Sequence, residues 1–281
     1  MTSPSQMIYC FDTSAINQLC DDADRDAIVA GLLAAHNIRI TAVNCLEVLG
    51  TKDENRRQVL QSFLRKLAAG NAPLVLPIDL LKLLTLEYGA GGARPDSENL
   101  NYRMSVDEYF NLEMETEQNI QQLRQRWEAS FEAFANVRPT FEQMFKEGKA
   151  RRPSSFSDLI REHYQEEAFL FSMMRDLYAI TGEELEVNGL TAFFTNVPEW
   201  PVVLLGLAYA SYSRSMKEEG YGRKGKAGAI DLWSSTYLLH ADVFVTHDKD
   251  QFRGLRFANK ANPRPTSTLR YTEFRQGLLI G

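Results

Sequence analysis

Cysteine is scarce in this chain. Cys10, Cys20 and Cys45 are the only three among 281 residues. An odd count with these spacings excludes a disulfide framework and fits no zinc pattern, so the thiols are read as reduced, in a reducing compartment. His36, His163, His240 and His247 show no zinc-like grouping either. Long apolar runs are also missing. The longest, residues 201–210, is about half of what a membrane span requires. No basic stretch precedes an apolar core at the N-terminus, so no signal peptide is expected and the cytoplasm is the expected location. Positive charge is not in excess: 31 Lys and Arg stand against 37 Asp and Glu, for a net charge of −6. Bulk charge therefore does not point to a nucleic-acid binder. A local patch or a bound cation can still set the field at one site. Internal repeats and low-complexity tracts are absent.

What the chain does have is four carboxylates, far apart in sequence but in matching local settings. Asp12 ends the apolar run Met7-Ile8-Tyr9-Cys10-Phe11. Glu47 follows the β-rich run at residues 38–43. Asp231 opens Asp231-Leu232-Trp233. Asp248 follows Val243-Phe244-Val245-Thr246-His247. Three of the four lie where an apolar, strand-like run gives out. In an open parallel sheet, ligands bind outside the carboxyl ends of the strands. Acids gathered there repel one another and call for a divalent cation. Phosphodiester hydrolysis needs an activated water and a neutralised phosphate, and hard cations held by carboxylates supply both.

Periodicity places these residues on elements. Strands are expected at residues 7–12, 38–43, 74–76, 242–246 and 265–270, and helices at 26–36, 55–69, 79–88, 231–239 and 272–279. Thr13-Ser14 and Asn44 offer helix N-caps, and 248–252 reads as a loop or short turn. The run Gly89-Ala90-Gly91-Gly92 reads as a hinge. Beyond it, residues 105–147 are polar and helical in period, with an apolar stripe through Phe110, Trp127, Phe131 and Phe134. Strand and helix alternate at both ends of the chain, which argues for a parallel sheet flanked by helices. The expected layout is an α/β core in two parts, residues 1–90 and 220–281, around an all-helical insertion at 91–219.

Phe11-Asp12-Thr13-Ser14, the Glu47 helix, Gly228-Ala229-Ile230-Asp231 and Val245-Thr246-His247-Asp248 occur in an order that resembles the PIN domain, a family of metal-dependent nucleases. The resemblance covers roughly residues 7–88 and 226–280. It implies a PIN-like central parallel β-sheet flanked by helices. It also implies a divalent-metal-dependent nuclease, an endoribonuclease more often than a deoxyribonuclease, using Mg²⁺ or Mn²⁺ on an RNA substrate. Asp12 and Asp248 would be the main metal carboxylates, with Glu47 and Asp231 completing the set and Asp250 an extra ligand. Thr13, Ser14 and Thr246 would hold carboxylates or metal-bound water. A regulatory or toxin-like role fits the family, with an inhibitor protein or a second copy of the chain as partner.

Each signal has a plainer reading. An Asp after a strand is commonly a cap or turn residue. Gly220-Tyr221-Gly222-Arg223-Lys224-Gly225 matches a dinucleotide motif but follows a helix end rather than a strand, so it reads as a loop. Arg223, Lys224 and Lys226 in that loop are candidate phosphate contacts. Lys149, Arg151 and Arg152 read as a solvated cluster. The competing function is a nucleic-acid-binding or assembly protein on a catalytically degenerate PIN-like fold. A haloacid-dehalogenase-type phosphatase would need a second Asp two residues after Asp12, where Ser14 stands.

Overall fold

The computed structural model describes residues 6–91, 104–111, 147–148, 157–158, 189–216 and 228–280; at 211–216, 228–230 and 279–280 it describes the backbone alone. Arg223, Lys224, Lys226, Trp127, Phe131, Phe134, Lys149, Arg151 and Arg152 lie outside the described residues.

Four short strands form one sheet: β1 (Ile8–Phe11), β2 (Asn37–Arg39), β3 (Val243–Thr246) and β4 (Ser267–Arg270), in the order β2-β1-β3-β4. Every pairing is parallel, with Tyr9 opposite both Ile38 and Val243 and Val245 opposite Leu269. β1 and β3 are almost wholly buried. Side chains of successive strand residues point to opposite faces. Tyr9, Phe11, Val243 and Val245 accordingly enter one core, and Cys10 and Phe244 the other. A parallel sheet covered on both faces needs apolar residues at nearly every position, and these strands supply them.

Helices cover both faces. The first core takes α1 (Thr13–Cys20), α2 (Arg25–Ala35), α3 (Ala42–Leu49), α4 (Glu54–Ala68) and α6 (Val106–Asn111). The second takes α5 (Pro77–Gly91), α7 (Leu190–Asn196), α8 (Glu199–Met216), α9 (Gly228–Trp233), the 3₁₀ turn Ser234–His240 and α10 (Lys249–Ala258). The closing helix α11 (Tyr271–Ile280) returns Tyr271 and Phe274 to the first core. The helices α6, α7 and α8 fall within residues 91–219 and pack into these same two cores. No single helix among the described residues is long and apolar enough to cross a membrane.

Several local expectations are corrected. Asp12, not Thr13 or Ser14, caps α1: its side chain accepts from the Ala15 amide at 2.8 Å. Thr41, not Asn44, caps α3, and Asn44 closes the capping box from inside the helix. Residues 74–76 form no strand; Leu74 makes a lone parallel bridge to Thr41. α5 continues through the glycines to Gly91, because glycine weakens a helix without forbidding it. Residues 231–239 split into the end of α9 and a 3₁₀ turn. The segment read as a turn at 248–252 opens the ten-residue helix α10, capped by Asp248 through the Asp250 and Gln251 amides at 2.7 Å.

Candidate active site

The strand order reverses direction between β1 and β3. The chain leaves β1 for β2 on one side and later returns to β3 on the other. Such a switch point opens a crevice beyond the carboxyl ends of the two strands. Asp12 follows β1 directly, with its amide bonded to the Val245 carbonyl at 3.0 Å, and Asp248 lies two residues past β3. α3 brings Glu47, and α9 brings Asp231. A cleft there is lined by Asp12, Thr13, Asn44, Glu47, Asp231 and Gln251, among others. It has about 20 Å³ for water-sized occupants, which is room for about one water. Asp12, Glu47 and Asp231 therefore converge on one cleft. Asp248 is exposed beside it and close enough for its charge to act on Asp231. Asp250 points elsewhere, in an ion pair with Arg253 at 3.5 Å.

The carboxylates repel one another. Burial pushes the Asp12 carboxyl up to about 6, against the opposing pull of Ser14, the Ala15 amide and Thr246. Burial pushes Glu47 up to about 7; the Thr13 hydroxyl opposes this and the Asp12 charge adds to it. Asp231 is raised well above the usual carboxylate range by burial, then by the charges of Glu47, Asp12 and Asp248. Among the described residues no Lys, Arg or His forms an ion pair with any of the four. No group of three or more His, Cys, Asp or Glu among the described residues stands ready to hold a metal ion as the side chains are placed.

Hydroxyl and amide side chains frame the acids. Ser14 donates to Asp12 Oδ2 at 2.7 Å, and its oxygen accepts the His247 and Asp248 amides at 3.0 and 3.1 Å. One hydroxyl thus ties the β1 end to the β3 end. Asn44, absent from the expected set, donates to the Phe11 carbonyl at 3.2 Å and to Thr13 Oγ1 at 3.1 Å. Gln251, also unforeseen, is buried. It accepts from Thr246 Oγ1 at 2.5 Å and donates to the Asp231 carbonyl at 3.1 Å and Ser234 Oγ at 3.2 Å. Its amide links the β3 edge to the helix that carries Asp231. Leu232, the next residue on α9, is held where Gly254 of α10 lets the helices close up. A Cβ on Gly254 would overlap both methyl groups of Leu232.

No family model, curated protein or solved structure matches this chain.

Proposed function

We propose that the protein is a PIN-like, divalent-metal-dependent nuclease, acting as an endoribonuclease, with residues 91–219 as a helical insertion in its α/β core. One observation carries the reading: three carboxylates from three separate elements meet in a cleft at the sheet's switch point, with a fourth at its mouth and, among the described residues, no cationic side chain in an ion pair with any of them. Clustered desolvated acids without a counter-ion are costly in a protein that makes no use of them.

The donor set fits a hard cation. Carboxylate oxygens are the ligands Mg²⁺ and Mn²⁺ prefer, and among the described residues no thiol or imidazole lines the cleft. Asp12, Asp231 and Glu47 would hold the ion, with Asp248 reaching in from the mouth. When bound, such an ion supplies phosphate charge neutralisation and a lowered pKa for an attacking water. The chain's own groups do the positioning. Ser14 fixes the Asp12 carboxylate, the Thr13 hydroxyl favours the charged form of Glu47, and Gln251 sets the Asp231 backbone against Thr246. Such supporting contacts commonly alter metal affinity or activity by about 10–100-fold.

The test is cleavage of labelled single-stranded RNA and DNA in Mg²⁺, Mn²⁺ or EDTA, with wild type and Asp12→Asn. Metal-dependent RNA cleavage lost in the variant supports the reading. Cleavage unchanged in Asp12→Asn sinks the site assignment. A binding or assembly protein on a degenerate PIN-like fold is the second reading. It is favoured by the tight cleft, which has room for about one water. RNA binding without cleavage under either metal would favour it.

A further inference from the structure

The chain carries a net charge of −6, yet residues 249–270 hold six Lys and Arg against one Asp. On α10 and the 3₁₀ turn after it (Asn259–Ala261), four of the cations fall at positions 249, 253, 256 and 260. Spacings of four, three and four residues place them in one line along a helix. Lys249, Arg253, Arg256 and Lys260 are all exposed, while Gln251, Gly254, Leu255 and Ala258 are buried on the opposite side. The line is therefore an outer ridge, about 17 Å long at a rise near 1.5 Å per residue. Asp250 pairs with Arg253, and no carboxylate among the described residues pairs with Lys249, Arg256 or Lys260.

Aromatic rings flank the ridge and support its charges. Arg256 lies over Phe252 at 5.7 Å and Lys260 over Phe257 at 4.5 Å. A cation resting on a ring is held in place without losing its charge. The ridge begins at Lys249, beside the Asp248 cap at the mouth of the acidic cleft.

We infer that this ridge is a docking track for the sugar-phosphate backbone of nucleic acid, leading a strand to the cleft; its purpose rests on the nuclease reading above. Charge complementarity selects the occupant. Four exposed cations over about 17 Å, three of them without an acidic partner among the described residues, match a run of phosphates along one strand. Phosphate contacts of this kind fix position and carry no sequence information.

The experiment measures binding of a labelled mixed-sequence single-stranded RNA to the full chain in EDTA, across a salt series. Binding in EDTA is read apart from cleavage, so the ridge and the nuclease reading can fail separately. Removing three phosphate contacts lowers the slope of log K against log salt by about 2, from roughly 0.7 per contact on single strands. K249Q/R256Q/K260Q is expected to show that loss and to bind at least about tenfold more weakly at low salt. The charge-keeping variant K249R/R256K/K260R retains the wild-type slope, and K52Q/K82Q, on other exposed lysines, leaves it unchanged. An unaltered slope in K249Q/R256Q/K260Q overturns the track. Polyglutamate displacing the RNA as effectively as unlabelled RNA also overturns it, in favour of an acidic protein partner.

Discussion

Two acidic clusters in this molecule solve like-charge crowding in opposite ways. At the junction of α1 and α2, Asp21, Asp22, Asp24 and Asp26 each meet a basic side chain. Arg275 pairs with Asp22 at 2.7 Å and Asp24 at 2.6 Å, Arg56 with Asp21 at 2.5 Å, and Lys66 with Asp26 at 2.9 Å. Burial works to raise Asp22, but Arg275, the Asp24 amide and Tyr271 overcome it and hold the carboxyl below its ordinary range. In the cleft, Asp12, Glu47 and Asp231 meet hydroxyls, amides and one another, and all three rise. The same residue type is neutralised from within in one place and, among the described residues, meets no cationic side chain in the other. The first cluster ties α11 to the start of the chain. On the nuclease reading proposed above, the second takes its cation from outside.

The largest expected effect comes from substitution in the cleft. Asp12→Asn keeps a cap acceptor for α1, so the fold survives while metal-dependent cleavage falls by about 100-fold or more. Asp22→Asn should do the reverse. Cleavage persists and stability drops by about 2 kcal/mol, as when a hydrogen bond to a charged group is lost; urea unfolding beside an RNA cleavage assay reads both. Ser14→Ala should reduce cleavage by roughly 10–100-fold, because it frees Asp12 Oδ2, takes the acceptor from the His247 amide and leaves the Asp248 amide with Thr246 Oγ1 alone.

Gly254→Ala should cost about 1–3 kcal/mol by overpacking and weaken cleavage through displacement of α9. Unchanged unfolding would mean that Leu232 yields freely.

pH separates the clusters by sign. Glu47 and Asp12 have folded values of about 7 and about 6 against ordinary values of 4.5 and 3.8. The folded state therefore holds protons that the unfolded state has released, and stability declines as pH rises from about 4 to 7. For Glu47 the ceiling is on the order of 3 kcal/mol, at about 1.4 kcal/mol per pH unit. Asp22 is lowered, so its contribution is present above its unfolded value and is lost on acidification. In EDTA the melting temperature should fall between pH 5 and pH 8, and Asp12→Asn/Glu47→Gln should flatten that fall. The smallest effect belongs to the surface. Lys66→Ala removes a pair whose Asp26 is 70% exposed and should leave the melting temperature unchanged.

Much of this arrangement is legible in the sequence. β1 and β3 show as unbroken apolar runs because both of their faces are covered, and Asp12 and Asp248 stand out as acids where such runs end. The α/β class with a parallel sheet follows from strand–helix alternation. α10 is hidden, because only a narrow apolar stripe through Leu255 and Ala258 marks it and its outer face is charged. Thr41 and Asn44 are both credible caps, and only the three-dimensional turn decides between them. Gln251 reads as an ordinary polar residue. Its role arises from three partners up to 20 positions away, which no local pattern encodes. The convergence of Glu47 and Asp231 on the Asp12 cleft is likewise a product of topology rather than spacing.

Calorimetric titration of Mn²⁺ at pH 7.5 into metal-stripped wild type, Asp12→Asn and Asp22→Asn tests the central claim most directly. Binding in wild type and Asp22→Asn, with binding lost in Asp12→Asn, is the predicted result. No binding in wild type, or equal binding in Asp12→Asn, would contradict the assignment of the unpaired cluster to an external cation.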